Sequence, residues 1–137
     1  MILAVDSIHT MGIVHRDLKP GTSFSFHNLC NIDNILVGDF NDLTSIKLAD
    51  FGLSAKYDHV SFKTLDQHCG TLKYMAPEVA LKKEYSKNVD IWSIGIIMFM
   101  LLTGGSHPLF TNQDTAITYK EKLKNASVLH YPSHISQ

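Results

Sequence analysis

Asp50-Phe51-Gly52 closes an apolar stretch, Ile46-Lys47-Leu48-Ala49. An aspartate at the end of a strand, followed by glycine, can present its carboxylate to a cation while the backbone turns. The same three residues also serve as an ordinary turn. Asp17 stands two residues before Lys19, a spacing that also suits a surface ion pair. Around it the chain reads His15-Arg16-Asp17-Leu18-Lys19-Pro20, and after a gap Asp33-Asn34-Ile35-Leu36. The gap is twelve residues, Gly21 to Ile32, and it carries four large apolar side chains, Phe24, Phe26, Leu29 and Ile32. Cys30 and Cys69 lie 39 positions apart and form no C-x-x-C pair. Cys69 with His68 lacks a second ligand pair at zinc spacing, so no zinc site is expected and a reduced, cytoplasmic or nuclear protein is.

These side chains need elements to position them. Ile2, Val5 and Ile8 recur at three-residue steps and predict a helix over residues 1–11, stopped by Gly12. Ile35-Leu36-Val37 and Ile46-Lys47-Leu48-Ala49 read as strands of an antiparallel hairpin, with turn residues Gly38 to Asp42 between them. All three residues of the first strand read as ordinary core. Residues 50–76 show no sustained period and read as a long irregular segment. Pro77 opens a short helix. Asn88 or Asp90 is expected to cap an apolar helix ending near Leu102, with Gly104-Gly105 as its stop. Thr111-Asn112 or Asp114 is expected to start a last helix reaching Lys124.

Composition bounds the class. Of 137 residues, 45% are hydrophobic and 18% charged, which is globular rather than disordered composition. The net charge of −1 gives no reason to expect nucleic acid or an anionic membrane as the main partner. The longest apolar run, Ile91 to Leu102, falls short of the roughly 18 residues of a membrane span and reads as a buried helix. No basic stretch precedes the first apolar residues, so no signal peptide is expected. Asn125-Ala126-Ser127 fits the glycosylation pattern by chance on that reading.

Order gives the isolated motifs their meaning. His-Arg-Asp-Leu-Lys-Pro precedes Asn-Ile-Leu and then Asp-Phe-Gly. Cys69-Gly70-Thr71 leads to Tyr74-Met75-Ala76-Pro77-Glu78, and Asp90-Ile91-Trp92-Ser93-Ile94-Gly95 follows. This series resembles the eukaryotic protein kinases, specifically their C-terminal lobe. Lys19, and Gly70-Thr71 ahead of Ala-Pro-Glu, are similar to the serine/threonine branch, and the general pattern to its calcium/calmodulin-dependent group. The resemblance implies an α+β, mainly helical fold with a small β-hairpin. It implies transfer of the ATP γ-phosphate to a serine or threonine of a protein substrate, with ATP and Mg²⁺ as cofactors. Asp17 would orient the acceptor hydroxyl and take its proton, Lys19 would neutralise charge on the transferred group, and Thr71 would brace both. Asn34 and Asp50 would hold Mg²⁺ through hard oxygen ligands. Leu36 matches the position beneath the adenine ring. His15 and Phe51 would stack, and Asp90 would hold the catalytic-loop backbone. Core packing would equally account for His15, Phe51 and Trp92.

Four departures shape the expectation. No Gly-rich phosphate loop, Val-Ala-Ile-Lys strand or partner-Glu helix occurs, so the N-terminal lobe is expected to be absent. The helices that close the C-terminal lobe are also missing, which would leave Glu78 without its arginine and the Ile91–Leu102 helix uncovered, prone to association. At the position of the usual activating threonine stands Gln67, so Arg16 is expected to lack that partner; Thr64 and Ser61 substitute only by proximity. Last, Asp17 and Asn34 are seventeen residues apart where the family has five; removing residues 21–32 restores the spacing. The chain therefore reads as one partial catalytic domain, 1–137, with an insertion at 21–32 that is expected to disturb the site. It is expected to be inactive alone and gives no sign of its regulator. The rival readings are a non-catalytic binding module and a fragment of a misassembled gene model.

Overall fold

The computed structural model describes residues 1–20, 34–39, 42–58 and 64–125. The insertion at 21–32, Cys30, Ser61 and the last two residues of the glycosylation pattern lie outside them. Helix α1 spans Ile2–Thr10 and α3 spans Asn88–Leu102, with the short α2, Pro77–Ala80, before α3 and α4, Ala116–Lys124, after it. Two antiparallel two-stranded sheets accompany them. Strand β1, Ile13–Val14, pairs with β4, Ala55–Lys56. Strand β2, Ile35–Asp39, pairs with β3, Asp42–Leu48, in the register Ile35 opposite Leu48 and Leu36 opposite Lys47.

The apolar pattern of α1 is only partly used. Val5 and Ile8 are buried, while Ile2 and Leu3 are exposed. His9 follows Val5 by four residues and is buried on the same face. Gly12 ends the helix with φ +71°, and a side-chain carbon there would sit 2.8 Å from the Tyr57 carbonyl oxygen. That close approach lets Tyr57 N donate to Gly12 O at 2.7 Å, which sets the β1–β4 pairing beside it.

Helix α3 ends as expected. Gly104 takes φ +69°, and Gly105 N donates to Met100 O at 2.7 Å, the six-to-one bond of a glycine-terminated helix. Its start differs from expectation: Lys87 precedes it without a side-chain cap, and Asp90 lies inside the first turn with its carboxylate committed elsewhere. Helix α4 likewise begins later than expected. Thr115 is its cap, in a reciprocal box with Thr118, and Asp114 reinforces the turn by accepting from Thr111 N at 2.7 Å.

The core forms where these elements cross. Val5, Leu18, Ile35, Ile94 and Ile97 bring α1, the loop after β1, the hairpin and α3 together. Val14, Ala76, Val79, Tyr85 and Val89 form a second cluster under α2, and Ala80, Tyr119 and Leu123 dock α4. Helix α3 is not buried on all sides: Ile91, Met98, Leu101 and Leu102 are exposed. No helix among the described residues is long and apolar enough to cross a membrane.

The segment 50–76 is more tied down than its composition suggests. It contains a single-turn helix at Phe51–Leu53, strand β4, a two-residue bridge between Leu65 and Tyr85, and another single turn at Leu72–Tyr74. The hairpin strands also run further toward the turn than expected: Asp39 pairs with Asp42 beyond an irregularity between Val37 and Asp39.

Candidate active site

Leu18 is fully buried and anchors the loop after β1 in the core, so its neighbours Asp17 and Lys19 are held at fixed positions. Asp17 is the centre of the arrangement. Its Oδ1 accepts from Thr71 N and from Thr71 Oγ1, both at 2.8 Å. Its Oδ2 accepts from Lys19 Nζ at 2.9 Å and from Asn34 Nδ2 at 3.3 Å. Burial pushes the Asp17 carboxyl up, but the Lys19 ammonium and the two Thr71 donors outweigh it and hold the group below the usual carboxylate range. Asp17 is therefore an anion at neutral pH, with Lys19 and Thr71 stabilising the charge.

The insertion does not prevent this convergence. Asn34 is 1% exposed, and its Nδ2 also donates to the backbone carbonyl of Asp17. The seventeen-residue separation thus closes onto the same carboxylate, where disturbance was expected. With Nδ2 spent on Asp17, the carbonyl Oδ1 of Asn34 is the atom with ligand character.

Asp50 joins from the end of the hairpin. Ala49 N donates to Asn34 O at 3.0 Å, so Asp50 is the next residue beyond a direct contact with Asn34. Asp50 takes φ +58°, and its Oδ1 accepts from Gly52 N at 3.3 Å. The carboxylate is exposed. Asn34 Oδ1 and the Asp50 carboxylate are both hard oxygen donors, the ligand type that suits Mg²⁺ rather than a softer metal. Among the described residues no cluster of three or more His, Cys, Asp and Glu side chains could hold a metal ion.

Leu36 corrects one expectation. It is 43% exposed, whereas its neighbour Ile35 is 5% exposed. Strand alternation sends Ile35 into the core and turns Leu36 outward, so it is an open apolar surface and not strand core. His15 and Phe51 are in ring contact with centroids 5.0 Å apart, but tilted by 57° rather than stacked. His15 Nε2 donates to Ala49 O at 2.9 Å, which ties the catalytic loop to the residue before Asp50.

Asp90 holds the loop from below. It is fully buried; its Oδ2 accepts from His15 N at 2.9 Å and its Oδ1 from Arg16 N at 2.8 Å. His9 Nε2 donates to the same Oδ2 at 2.8 Å. Sequence reasoning missed His9. The signal was a polar residue continuing the buried face of α1 four residues after Val5, which calls for a buried partner.

Arg16 meets the residue that stands at the activating position: its Nη2 donates to Gln67 Oε1 at 3.0 Å. The Thr64 hydroxyl donates to Glu84 Oε2 at 2.8 Å. Glu78 makes no ion pair among the described residues. The turn 72–74, next to Thr71, is fixed from the α4 side: His107 Nε2 and the Tyr119 hydroxyl both donate to Lys73 O, at 2.7 and 3.1 Å.

The chain matches the protein kinase domain model over residues 1–136. It is 40% identical over 121 residues to a calcium/calmodulin-dependent protein kinase type 1 of Macrobrachium nipponense, covering 88% of this chain and 30% of that protein. It is 37% identical over 133 residues to an Aurora kinase of Eremothecium gossypii, covering 96% of this chain and 30% of that protein. A calcium/calmodulin-dependent protein kinase type I of Schizosaccharomyces pombe is 42% identical over 101 residues, covering 74% of this chain and 27% of that protein. The chain spans less than a third of the length of these relatives. On the family match and these identities, the chain belongs to the protein kinase family.

Proposed function

We propose that residues 1–137 are the C-terminal lobe of a serine/threonine protein kinase, in which Asp17 is the group that meets the acceptor hydroxyl. The observation that carries this reading is the convergence of Lys19, Asn34 and Thr71 on the two oxygens of one ionised carboxylate. Phosphoryl transfer develops charge on phosphate oxygens, so positioning and electrostatics do most of the work. Asp17 accepts a hydrogen bond from the incoming serine or threonine hydroxyl, orients it and takes its proton. Lys19, 2.9 Å from Asp17 Oδ2, places a cation beside the transferred group. Thr71 fixes the carboxylate plane from the other side. Asn34 Oδ1 and Asp50 would hold Mg²⁺, which when bound supplies charge neutralisation on the phosphates. Leu36 offers its exposed face to the adenine of ATP.

The partner is a protein substrate. A reduced compartment, the cytoplasm or nucleus, suits two cysteines that form no C-x-x-C pair. The segment 21–32 is an insertion in the catalytic loop rather than a working part of it. The 137-residue chain by itself transfers no phosphate, because it contains neither a Gly-rich phosphate loop nor the lysine strand that position ATP.

Labelled ATP, Mg²⁺ and a basic peptide substrate test the reading. The chain alone incorporates no more label than its Asp17→Asn variant. The same residues joined to a compatible N-terminal lobe and closing helices incorporate label, and Asp17→Asn there lowers the rate by roughly a hundredfold or more. Completed domain without Asp17-dependent transfer contradicts the kinase function. Transfer by the 137 residues alone contradicts the assigned inactivity.

A further inference from the structure

Arg16 is a non-glycine residue at φ +71°, held there by Asp90 from its backbone side. Its guanidinium reaches four acceptors. Nε donates to Leu53 O at 2.5 Å, Nη1 to the Tyr85 hydroxyl at 3.1 Å, and Nη2 to Ser54 O at 3.4 Å and Gln67 Oε1 at 3.0 Å. All four acceptors are uncharged, and Arg16 makes no ion pair among the described residues.

Gln67 is held at two points. Its side chain accepts from Arg16, and its backbone carbonyl accepts from the Tyr85 hydroxyl. Two residues earlier, Leu65 and Tyr85 exchange backbone bonds at 2.9 and 3.0 Å. Three residues later, Gly70 at φ +109° presses against the Arg16 carbonyl, where a side-chain carbon would come within 2.5 Å. Thr71 then reaches Asp17.

We propose that Gln67 is a positioning residue: its side-chain oxygen ties the 64–71 segment to Arg16 and so holds Thr71 on Asp17 with no covalent modification of the segment. This rests on the kinase reading only for what the segment is for. An amide can do this because a guanidinium needs an acceptor of the right reach, and a neutral oxygen qualifies. Burial raises the Tyr85 hydroxyl above its ordinary titration range, so it remains a donor to Gln67 O at neutral pH. A phosphate on Thr64 would face the Glu84 carboxylate, its present partner, and would be repelled.

The experiment is amide hydrogen exchange on the full 137-residue chain, comparing peptides covering 64–71 with peptides from α3. The wild type shows slow exchange at 64–71, unchanged between about 0.05 M and about 1 M NaCl, because the contact to Gln67 is not an ion pair. Gln67→Ala speeds exchange at 64–71 roughly tenfold and leaves α3 unchanged. Gln67→Lys does so more strongly, by charge repulsion with Arg16. Gln67→Glu keeps the protection at low salt and loses part of it at high salt, as a new ion pair would. If Gln67→Ala also loses protection in α3, the Glu and Lys variants decide, since one offers Arg16 an anionic acceptor and the other a cationic donor. The proposal is overturned if 64–71 exchanges freely in the wild type, if the Ala and Lys variants match the wild type, or if Glu behaves as Ala does. Failure of the kinase reading would appear in the phosphotransfer assay and leave these exchange rates untouched.

Discussion

Asp90 lies fully buried in the first turn of α3, and its two oxygens accept three hydrogen bonds from His9, His15 N and Arg16 N. Asp50, exposed beyond the end of β3, accepts one described hydrogen bond, from Gly52 N at 3.3 Å. The two carboxylates thus serve different ends. The first is saturated by the protein's own donors and fixes the backbone that carries Asp17. The second keeps most of its acceptor capacity and follows Ala49, whose backbone N–H donates to Asn34 O. A carboxylate can be structural or ligand-binding, and its hydrogen-bond inventory tells which. Asp17 falls between them: its oxygens are bonded, yet the donors are Lys19, Asn34 and Thr71, the groups assigned to the reaction.

Removing the buried member has the largest expected effect. Asp90→Ala leaves His15 N, Arg16 N and His9 Nε2 without acceptors in a buried site, which costs about 3–5 kcal/mol. Chemical denaturation monitored by circular dichroism checks it, and a loss below about 1 kcal/mol would show that the anchor is dispensable. Next is Gly70→Ala. Its side-chain carbon would lie 2.5 Å from Arg16 O at a backbone angle that L-residues rarely adopt, so the segment must move. The expected cost is about 2–3 kcal/mol, with loss of the Thr71 contact read by the chemical shift of the Thr71 amide. An unshifted amide would mean the close approach is not needed.

Much of this contrast was legible in the sequence. The order of His-Arg-Asp, Asn, Asp-Phe-Gly and Ala-Pro-Glu pointed to Asp17, Lys19, Asn34, Asp50 and Thr71 through its resemblance to the protein kinases, since each motif alone was equivocal. Asp90 was expected to hold the loop backbone, and it does. What escaped was set by residues far apart in the chain. His9 meets Asp90 across 81 positions and Gln67 meets Arg16 across 51, and no local period encodes such pairs. The β1–β4 sheet escaped because each strand has two residues, too few to show alternation. Leu36 was read as core because its apolar neighbours hid the face it occupies; the hairpin register decided it.

The pH profile sharpens the distinction between bonded and open carboxylates. Asp17 has a folded-state pKa below its unfolded value, so its contribution to stability is present above about pH 4 and is lost as pH falls through the folded value. Asp114, bonded to Lys122 and to Thr111, also titrates low and adds to the same acid limb. The limb of Asp17 is therefore the difference between wild type and Asp17→Asn. That variant is expected to lose stability less steeply below about pH 4, in melts recorded from pH 7 to pH 2. Parallel curves would mean that Asp17 gains nothing from Lys19 and Thr71.

The smallest effect is expected from the insertion. Deleting residues 21–32 shortens the closure between Asp17 and Asn34 from seventeen residues to five, which favours folding by only about 1 kcal/mol. Denaturation midpoints of the two versions measure it. A loss of stability on deletion would make the insertion a packed part of the fold.

On the proposed kinase reading, Asn34 and Asp50 form a cation site while Asp90, with the same side chain as Asp50, does not. Substoichiometric Mn²⁺ added to the isotopically labelled 137-residue chain tests it by paramagnetic broadening. The account predicts broadening at the Asn34 side-chain amide and the amides of Asp50 and Gly52, reversed by excess Mg²⁺ and abolished by Asp50→Ala. Amides around Asp90 stay sharp. Equal broadening at both carboxylates, or none at Asn34 and Asp50, would contradict it.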